Sequence, residues 1–228
     1  MIKENVNAIQ QRMANAMARV GRTDTALLVA VTKNHPVSAM EEVAALGCTH
    51  VGENRVQEAK EKQLLYKGPK LTWHLIGHLQ ANKVRQAVPM FDLIHSVDSK
   101  KLLDEIEKVA AKHDKVQDIL LQVNVAREAS KSGMSVEEFP EIREYAKTLP
   151  HVRVRGLMCI APFFEDPEEA RPIFRVAAAL FEDMKGHFEA GEIQFLSMGM
   201  THDFEVALEE GANIVRVGTA IFGERVYY

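Results

Sequence analysis

The sequence has few of the residues that stabilise small disulfide-rich or zinc-bound domains. It contains two cysteines in 228 residues, Cys48 and Cys159. They lie far apart, with no Cys-x-x-Cys pair and no histidine cluster at metal-ligand spacing around either. A disulfide framework and a zinc site are therefore excluded, and we expect both thiols to be buried in the core.

An excess of one charge and a long apolar run are also missing. The formal net charge is −4, from 28 basic and 32 acidic residues, so no strong field favours nucleic acid or an anionic membrane surface. No stretch reaches the ~20 apolar residues of a membrane span, and the first residues carry charges and amides where a signal peptide is apolar. We expect a cytoplasmic protein whose partner is a small molecule. Because no exposed apolar stripe is evident, we also expect a monomer.

Short β-branched segments alternate with amphipathic helical segments along almost the whole chain, which is typical of parallel α/β folds. The hydrophobic content of 46% is enough for one large core, and no linker divides the chain, so residues 1–228 are predicted to form a single domain. Eight strands are predicted, beginning near Leu27, Thr49, Thr72, Leu93, Ile119, Arg153, Gln194 and Asn213.

Periodicity does not distinguish an open doubly wound sheet from a closed barrel, but eight regularly spaced strands favour a (β/α)8 TIM barrel. Few residues follow the last strand, too few for a full outer helix. We therefore predict that an N-terminal helix, roughly Lys3 to Val20, covers the gap left there. A further helix is predicted to begin at Asp98, with Leu102, Leu103, Ile106, Val109 and Ala110 on its apolar side.

Function in such barrels gathers at the carboxyl ends of the strands. The first strand ends at Lys33 in the segment VAVTKNHP. Apolar surroundings would lower the pKa of this lysine, and a neutral amine can form an imine. The alternative is a surface lysine whose stem packs on the strand end while its ammonium stays in water.

The loops after strands seven and eight are where these barrels often bind phosphate. They are SMGMT and VGTAIFG, and they offer Ser197, Gly218 and Thr219. The glycine allows close approach of the backbone, and the hydroxyls can donate to phosphate oxygens. Ordinary turns with capping hydroxyls are the alternative.

Two further polar residues are candidates for the same end of the barrel. Arg216 lies within the apolar eighth strand, so it needs either a structural partner or an acceptor on a bound ligand. Asn54 follows the second strand beside Glu53 and either contacts a ligand or caps the next helix.

Histidines and basic residues nearby carry weaker signals. His74, inside strand three, is expected to be a structural core residue, whereas His78 in the following loop is placed to touch a ligand. The basic residues Lys83, Arg85, Arg127 and Lys131 are expected to form a solvated rim.

The ordered segments VTKNHP, GENRVQE, WHLIGHLQANKVR, SVDS, QVNVAREASKSG, GLMCI, LSMGMTHDFEVAL and VRVGTAIFGER resemble the pyridoxal-phosphate homeostasis proteins (the YggS/PROSC family) from about Leu28 to Arg225. The resemblance implies the barrel of the alanine racemase N-terminal domain, with pyridoxal 5′-phosphate as a Schiff base on Lys33. It implies that Arg216 faces the pyridine nitrogen, that Ser197, Gly218 and Thr219 contact the phosphate, and that Asn54 lies in the cofactor pocket. Asn34-His35 and Thr201 depart from common family residues.

The resemblance implies a protein that binds, buffers or delivers pyridoxal phosphate, with apo enzymes that use this cofactor as partners and with no dedicated reaction, hence no catalytic residue. The alternative is an amino-acid racemase. Racemisation needs acid–base groups on both faces of the substrate carbon, and alanine racemases supply one from an additional domain for which this sequence has no counterpart. Tyr227 and Tyr228 could replace that group only in principle. A lysine-dependent aldolase is disfavoured because its lysine is usually on a later strand.

Overall fold

A computed structural model describes residues 1–129 and 132–224 and contains a closed parallel barrel whose strands follow one another in chain order. The strands are β1 Leu27–Val31, β2 His50–Glu53, β3 Thr72–Leu75, β4 Leu93–Val97, β5 Gln117–Gln122, β6 Val152–Met158, β7 Phe195–Ser197 and β8 Ile214–Val217. All eight predicted strands are confirmed. So is the barrel, because β1 pairs with β8 as well as with β2.

Helices alternate with the strands and surround the barrel. They are α1 Ile2–Arg19, α2 Val37–Ala45, α3 Val56–Leu65, α4 Val84–Ala87, α5 Lys100–Lys112, α6 Phe139–Ala146, α7 Arg171–Lys185, α8 Phe204–Glu209 and α9 Thr219–Phe222. Two short 3-10 turns, Ala81–Lys83 and Pro167–Ala170, precede α4 and α7. Parallel strands need such crossovers, and the helices bury the outer face of the barrel.

The predicted start of α5 is wrong by one position. Ser99, not Asp98, is the N-cap, and its hydroxyl accepts from the backbone N–H of Leu102 at 3.1 Å. The Asp98 carboxylate instead accepts from the backbone N–H of Gly133 at 2.9 Å. The apolar side of α5 is buried as predicted.

Helix α1 covers the region where the short last helix leaves the barrel open, as predicted. It packs against α8, α9 and α2. Its buried side chains are Val6, Ile9, Met13, Ala16 and Met17. Arg12 and Arg19, on the same helix, pair with Glu205 and Glu209 of α8.

The barrel interior contains a small apolar cluster of Val29, Leu93, Leu120, Met158 and Ile214, while a larger core lies between the strands and helices. Both thiols, Cys48 and Cys159, are buried as predicted. Within the described ranges, no helix is long and apolar enough to cross a bilayer, and no group of three or more histidine, cysteine or acidic side chains could hold a metal ion. Lys131, Tyr227 and Tyr228 lie outside the described residues.

Candidate functional site

A cavity of about 730 Å³ opens at the carboxyl ends of the strands. This volume is in the range of small-molecule sites. Of the six predicted site residues, five line it, namely Lys33, Asn54, Arg216, Gly218 and Thr219. Ser197 does not line the cavity: it is fully buried in β7, where its hydroxyl accepts a hydrogen bond from Arg216.

Lys33 reaches the cavity because β1 continues its pairing past its last strand residue. The backbone N–H of Thr32 donates to the Gly52 carbonyl oxygen at 3.0 Å, so β1 and β2 stay in register up to the residue before the lysine. Lys33 is half-buried, and Val31 of the same strand also lines the cavity.

Asn54 is placed by a close approach of the loops after β2 and β3. A Cβ on Gly77 would lie 2.4 Å from the Asn54 carbonyl oxygen, so a side chain there would push the two loops apart. Helix α3 takes Arg55 as its N-cap, with no side-chain capping bond. Asn54 therefore does not cap this helix, which leaves its amide to the cavity that it lines.

The loops after β7 and β8 bring two hydroxyls together. Thr219 donates to Thr201 with 3.2 Å between the Oγ1 atoms, and both residues line the cavity. A Cβ on Gly218 would lie 3.3 Å from the Val31 carbonyl oxygen, so the glycine lets this loop lie close to β1. The predicted pair of loops therefore lies beside the end of the strand that carries Lys33.

Arg216 lies at the floor of the cavity and is 3% exposed. Its Nη1 donates to Ser197 Oγ at 2.5 Å and its Nη2 donates to the Cys159 carbonyl oxygen at 3.2 Å. Burial lowers the pKa of Arg216 to about 10, an effect that Asp203 opposes. Within the described part of the chain no carboxylate forms an ion pair with Arg216, so the structural partners that it has are the Ser197 hydroxyl and the Cys159 carbonyl oxygen. Neutral acceptors stabilise the buried guanidinium instead.

A row of hydrogen bonds runs from Arg216 across the barrel interior. Ser197 Oγ lies 3.0 Å from His95 Nδ1, and His95 Nε2 lies 2.8 Å from His74 Nδ1. His74 Nε2 in turn lies 2.9 Å from Nδ1 of the half-buried His50. We call these five residues the Arg216–His50 chain. His74 is structural, as predicted.

The Arg216 end fixes the direction of one bond, because a guanidinium only donates and the Ser197 oxygen must accept from it. The same hydroxyl can then donate its hydrogen to His95 Nδ1 or accept a second bond from that nitrogen. Burial lowers the pKa of His95 well below its usual value and the pKa of His74 to about 3, so both rings are neutral and carry one hydrogen. That hydrogen is on Nε2 in both rings when Ser197 donates, and every bond then points away from Arg216; it is on Nδ1 in both rings when Ser197 accepts, and the three bonds that involve histidines then point toward Arg216.

Sequence reasoning missed several residues at the cavity. Thr201 and Asp203 lie in the segment singled out after β7, but only the folded loop shows that they line the site. Asp203 accepts from the Met200 backbone N–H at 2.8 Å, and burial raises its pKa. Gln122 and Asn124, at the end of β5, also line it. The position after a barrel strand was the available signal for all four.

The basic residues near the mouth separate into two groups. His78 is exposed, lines the cavity and lies 3.3 Å from the Ser132 hydroxyl, measured at its Nδ1. Lys83 and Arg85 are exposed, and Arg127 pairs with Glu137 on the surface. The predicted solvated rim is confirmed for these three residues.

Comparison with known proteins identifies the family. Residues 4–226 match the family described as "Alanine racemase, N-terminal domain". The chain is 44% identical over 225 residues to the pyridoxal phosphate homeostasis protein of Aquifex aeolicus, covering 98% of each chain. It is 38% identical to the protein of that name from Haemophilus influenzae, covering 99% of this chain and 97% of the other.

Solved structures agree with this assignment. PipY of Synechococcus elongatus without PLP superposes with a TM-score of 0.86 at 36% identity, over 98% of this chain and 100% of that chain. PipY with PLP bound gives a TM-score of 0.82 over the same shares. An alanine racemase from Bartonella henselae, 12% identical, shares the fold with a TM-score of 0.72 over 98% of this chain and 58% of that chain.

Proposed function

Because this chain belongs to the family of pyridoxal phosphate homeostasis proteins, which has the fold of the alanine racemase N-terminal domain, we propose that it binds pyridoxal 5′-phosphate reversibly and buffers or delivers it. The observation that carries the proposal is the convergence of Lys33, Arg216 and Thr219 on one cavity. The donors in this cavity fit the three reactive parts of the molecule, which are an aldehyde, a ring nitrogen and a phosphate.

Lys33 is the residue for the aldehyde. In its neutral form its Nζ adds to the aldehyde carbon, a C=N bond replaces the C=O bond, and the oxygen leaves as water. The same step runs backwards when water returns, so attachment is covalent yet reversible. A protein that stores or transfers the molecule needs this reversibility.

The loops after β7 and β8 are the phosphate end. Thr201 and Thr219 present hydroxyls, and Gly218 brings backbone N–H groups near the cavity. In this proposal Thr201 takes the role that the sequence assigned to Ser197, since the Ser197 hydroxyl is already bonded to Arg216 and His95. Asn54 lies on the other side of Lys33 and contacts the ring.

Arg216 is the residue for the ring nitrogen. As a permanent donor it leaves that nitrogen unprotonated, and an unprotonated ring is a weaker electron sink. Bound pyridoxal phosphate supplies an electrophilic carbon and this limited electron sink. This limited electron sink is compatible with holding the molecule but does not by itself exclude turnover, because alanine racemase shares the feature; we propose that the protein has no dedicated reaction. Apo enzymes that use pyridoxal phosphate are the recipients that this role requires, and a monomer in the cytoplasm stays our prediction.

The test is equilibrium binding followed by transfer. Purified protein is loaded with pyridoxal phosphate, freed of excess and mixed with an apo enzyme that needs it, while a chain carrying Lys33→Ala serves as the comparison. We expect the wild-type protein to bind with visible absorbance and to activate the recipient, and Lys33→Ala to stay folded without covalent attachment. Protein that takes up no pyridoxal phosphate overturns the proposal. Racemisation of added amino acids at ordinary enzyme rates would favour the racemase instead.

A further inference from the structure

Two charged residues of α3, Glu58 and Lys62, hold the backbone on both sides of Lys33, although neither is among the residues that line the cavity. The Lys62 side chain is 9% exposed. Its Nζ donates to the Thr32 carbonyl oxygen at 2.6 Å and lies 3.0 Å from Glu58 Oε1. The peptide group that precedes Lys33 is thereby fixed to α3.

The peptide group that follows the lysine is held from the same helix. The backbone N–H of Asn34 donates to Glu58 Oε1 at 2.5 Å. The backbone N–H of His35 donates to the Thr32 carbonyl oxygen at 3.0 Å, so Lys33 and Asn34 are the central residues of a four-residue turn. Asn34 has a φ of 63°, which costs energy for any residue with a side chain but least for asparagine and aspartate.

A charged cluster of Glu53, Glu58 and Lys62 lies beneath this turn, and burying these charges costs free energy. Glu53 is fully buried, and its Oε1 accepts from Lys62 Nζ at 2.6 Å and from Thr32 Oγ1 at 2.7 Å. Its Oε2 has no partner among the residues described. Burial raises the pKa of Glu53, and Lys62 opposes that rise. Apolar side chains in the same place would pack α3 against the barrel at a lower cost in free energy, so we infer that the charged cluster serves to fix the position of the backbone.

We propose that Glu58 and Lys62 are positioning residues for Lys33, which hold its two flanking peptide groups so that Nζ meets the aldehyde carbon in the geometry for attack. The inference rests on the proposed function and extends it to the covalent step. A lysine that is already oriented before the ligand binds attaches to the aldehyde faster. The affinity for the ring and phosphate changes less, because these groups contact other strand ends.

The test compares two substitutions of Glu58 with one control. Glu58→Ala removes the acceptor of the Asn34 N–H, whereas Glu58→Gln keeps a side-chain oxygen there. Glu61→Ala, an exposed residue of the same helix, is the control. Three quantities are measured: the rate of covalent attachment after mixing with pyridoxal phosphate, the affinity for pyridoxine 5′-phosphate, which has no aldehyde, and the hydrogen exchange of the Asn34 amide.

We expect Glu58→Ala to attach pyridoxal phosphate about tenfold more slowly than the wild-type protein, with unchanged affinity for pyridoxine 5′-phosphate and faster exchange at Asn34. Glu58→Gln is expected to stay within about twofold of wild type in rate, and Glu61→Ala to match it. A general defect of the cavity would instead weaken both ligands.

Equal attachment rates in all variants, with normal attachment in wild type, would overturn the inference and leave the proposed function standing. A wild-type protein that never attaches pyridoxal phosphate would overturn the proposed function itself. If Glu58→Ala does not fold, the hydrogen exchange of the Asn34 amide in the wild-type protein decides the question. Asn34 is exposed, so an amide that is not protected from exchange means that its hydrogen bond to Glu58 is absent, and the inference fails.

Discussion

The Nη1 of Arg216 donates to the Oγ of Ser197 at 2.5 Å, joining β8 to β7 inside the barrel. These two strands share the register pair Ser197↔Ile214. The side-chain bond therefore adds to the backbone hydrogen bonds between these two strands, and it also sets the orientation of the guanidinium at the cavity floor. A serine that the sequence indicated as a phosphate contact is thus the residue that positions Arg216.

Ser197→Ala is expected to lower the free energy of unfolding by about 1–3 kcal/mol, because a buried guanidinium N–H and a buried imidazole nitrogen each lose a partner. Chemical denaturation measures the change. Ser96→Ala is the matched control: Ser96 is also a buried strand serine, but its hydroxyl has no hydrogen-bond partner in the described part of the chain. We expect that variant to be close to wild type, and equal losses in both would contradict this account of Ser197.

The buried histidines predict that acid destabilises the fold. Burial lowers the pKa of His74 from 6.5 to about 3, so the ring binds a proton more readily when the chain is unfolded. Its contribution to stability is complete above pH 6.5 and is lost as the pH falls toward 3. The slope approaches about 1.4 kcal/mol per pH unit for each such histidine.

The measurement is the free energy of unfolding by urea at several pH values between 7.5 and 4.5. His74→Gln is expected to be less stable at pH 7.5, since the Arg216–His50 chain is interrupted, but to lose less stability on acidification. His113→Gln removes an exposed imidazole and serves as the control. An unchanged slope in His74→Gln would mean that this ring is not the group that the unfolded chain protonates.

Thr219→Val tests the phosphate end of the cavity. We expect the Thr219 hydroxyl to turn from Thr201 and donate to the phosphate when the ligand binds, so its loss weakens binding of pyridoxal 5′-phosphate by about tenfold to a hundredfold, while binding of pyridoxal, which lacks the phosphate, changes little. Equilibrium dialysis with both ligands measures the two affinities. Thr23→Val, at an exposed site, is the control. Equal weakening of both ligands would place Thr219 elsewhere than at the phosphate.

The alternation of strands and helices was predictable because it depends on local patterns. The buried residues of α5 and the eight strands were read from periodicity alone, and the coverage by α1 followed from the shortness of the segment after β8. The start of α5 was not predictable, since Asp98 and Ser99 are both good caps. In the fold the Asp98 carboxylate accepts from the backbone N–H of Gly133, which lies 35 residues away along the chain, and Ser99 is the N-cap.

The candidate site was only partly predictable for the same reason. Position after a strand is a local signal, and it indicated Lys33, Asn54, Gly218 and Thr219. The role of Ser197 depends on His95 and Arg216, which are 102 and 19 residues away along the chain, and no spacing rule connects them. The turn at Lys33 likewise depends on contacts with α3. The Asn34-His35 departure from common family residues is explained in part, because asparagine suits the positive φ of this turn.

The most direct test of the central claim is to load the protein with pyridoxal 5′-phosphate, reduce it with borohydride, and locate the modified lysine by peptide mass spectrometry. Reduction makes a covalent attachment permanent at whichever lysine it has formed, so every modified lysine can be detected. We predict one dominant modified peptide, containing Lys33, and its disappearance in Lys33→Ala. Modification spread over surface lysines, or persisting at the same level in Lys33→Ala, would contradict it.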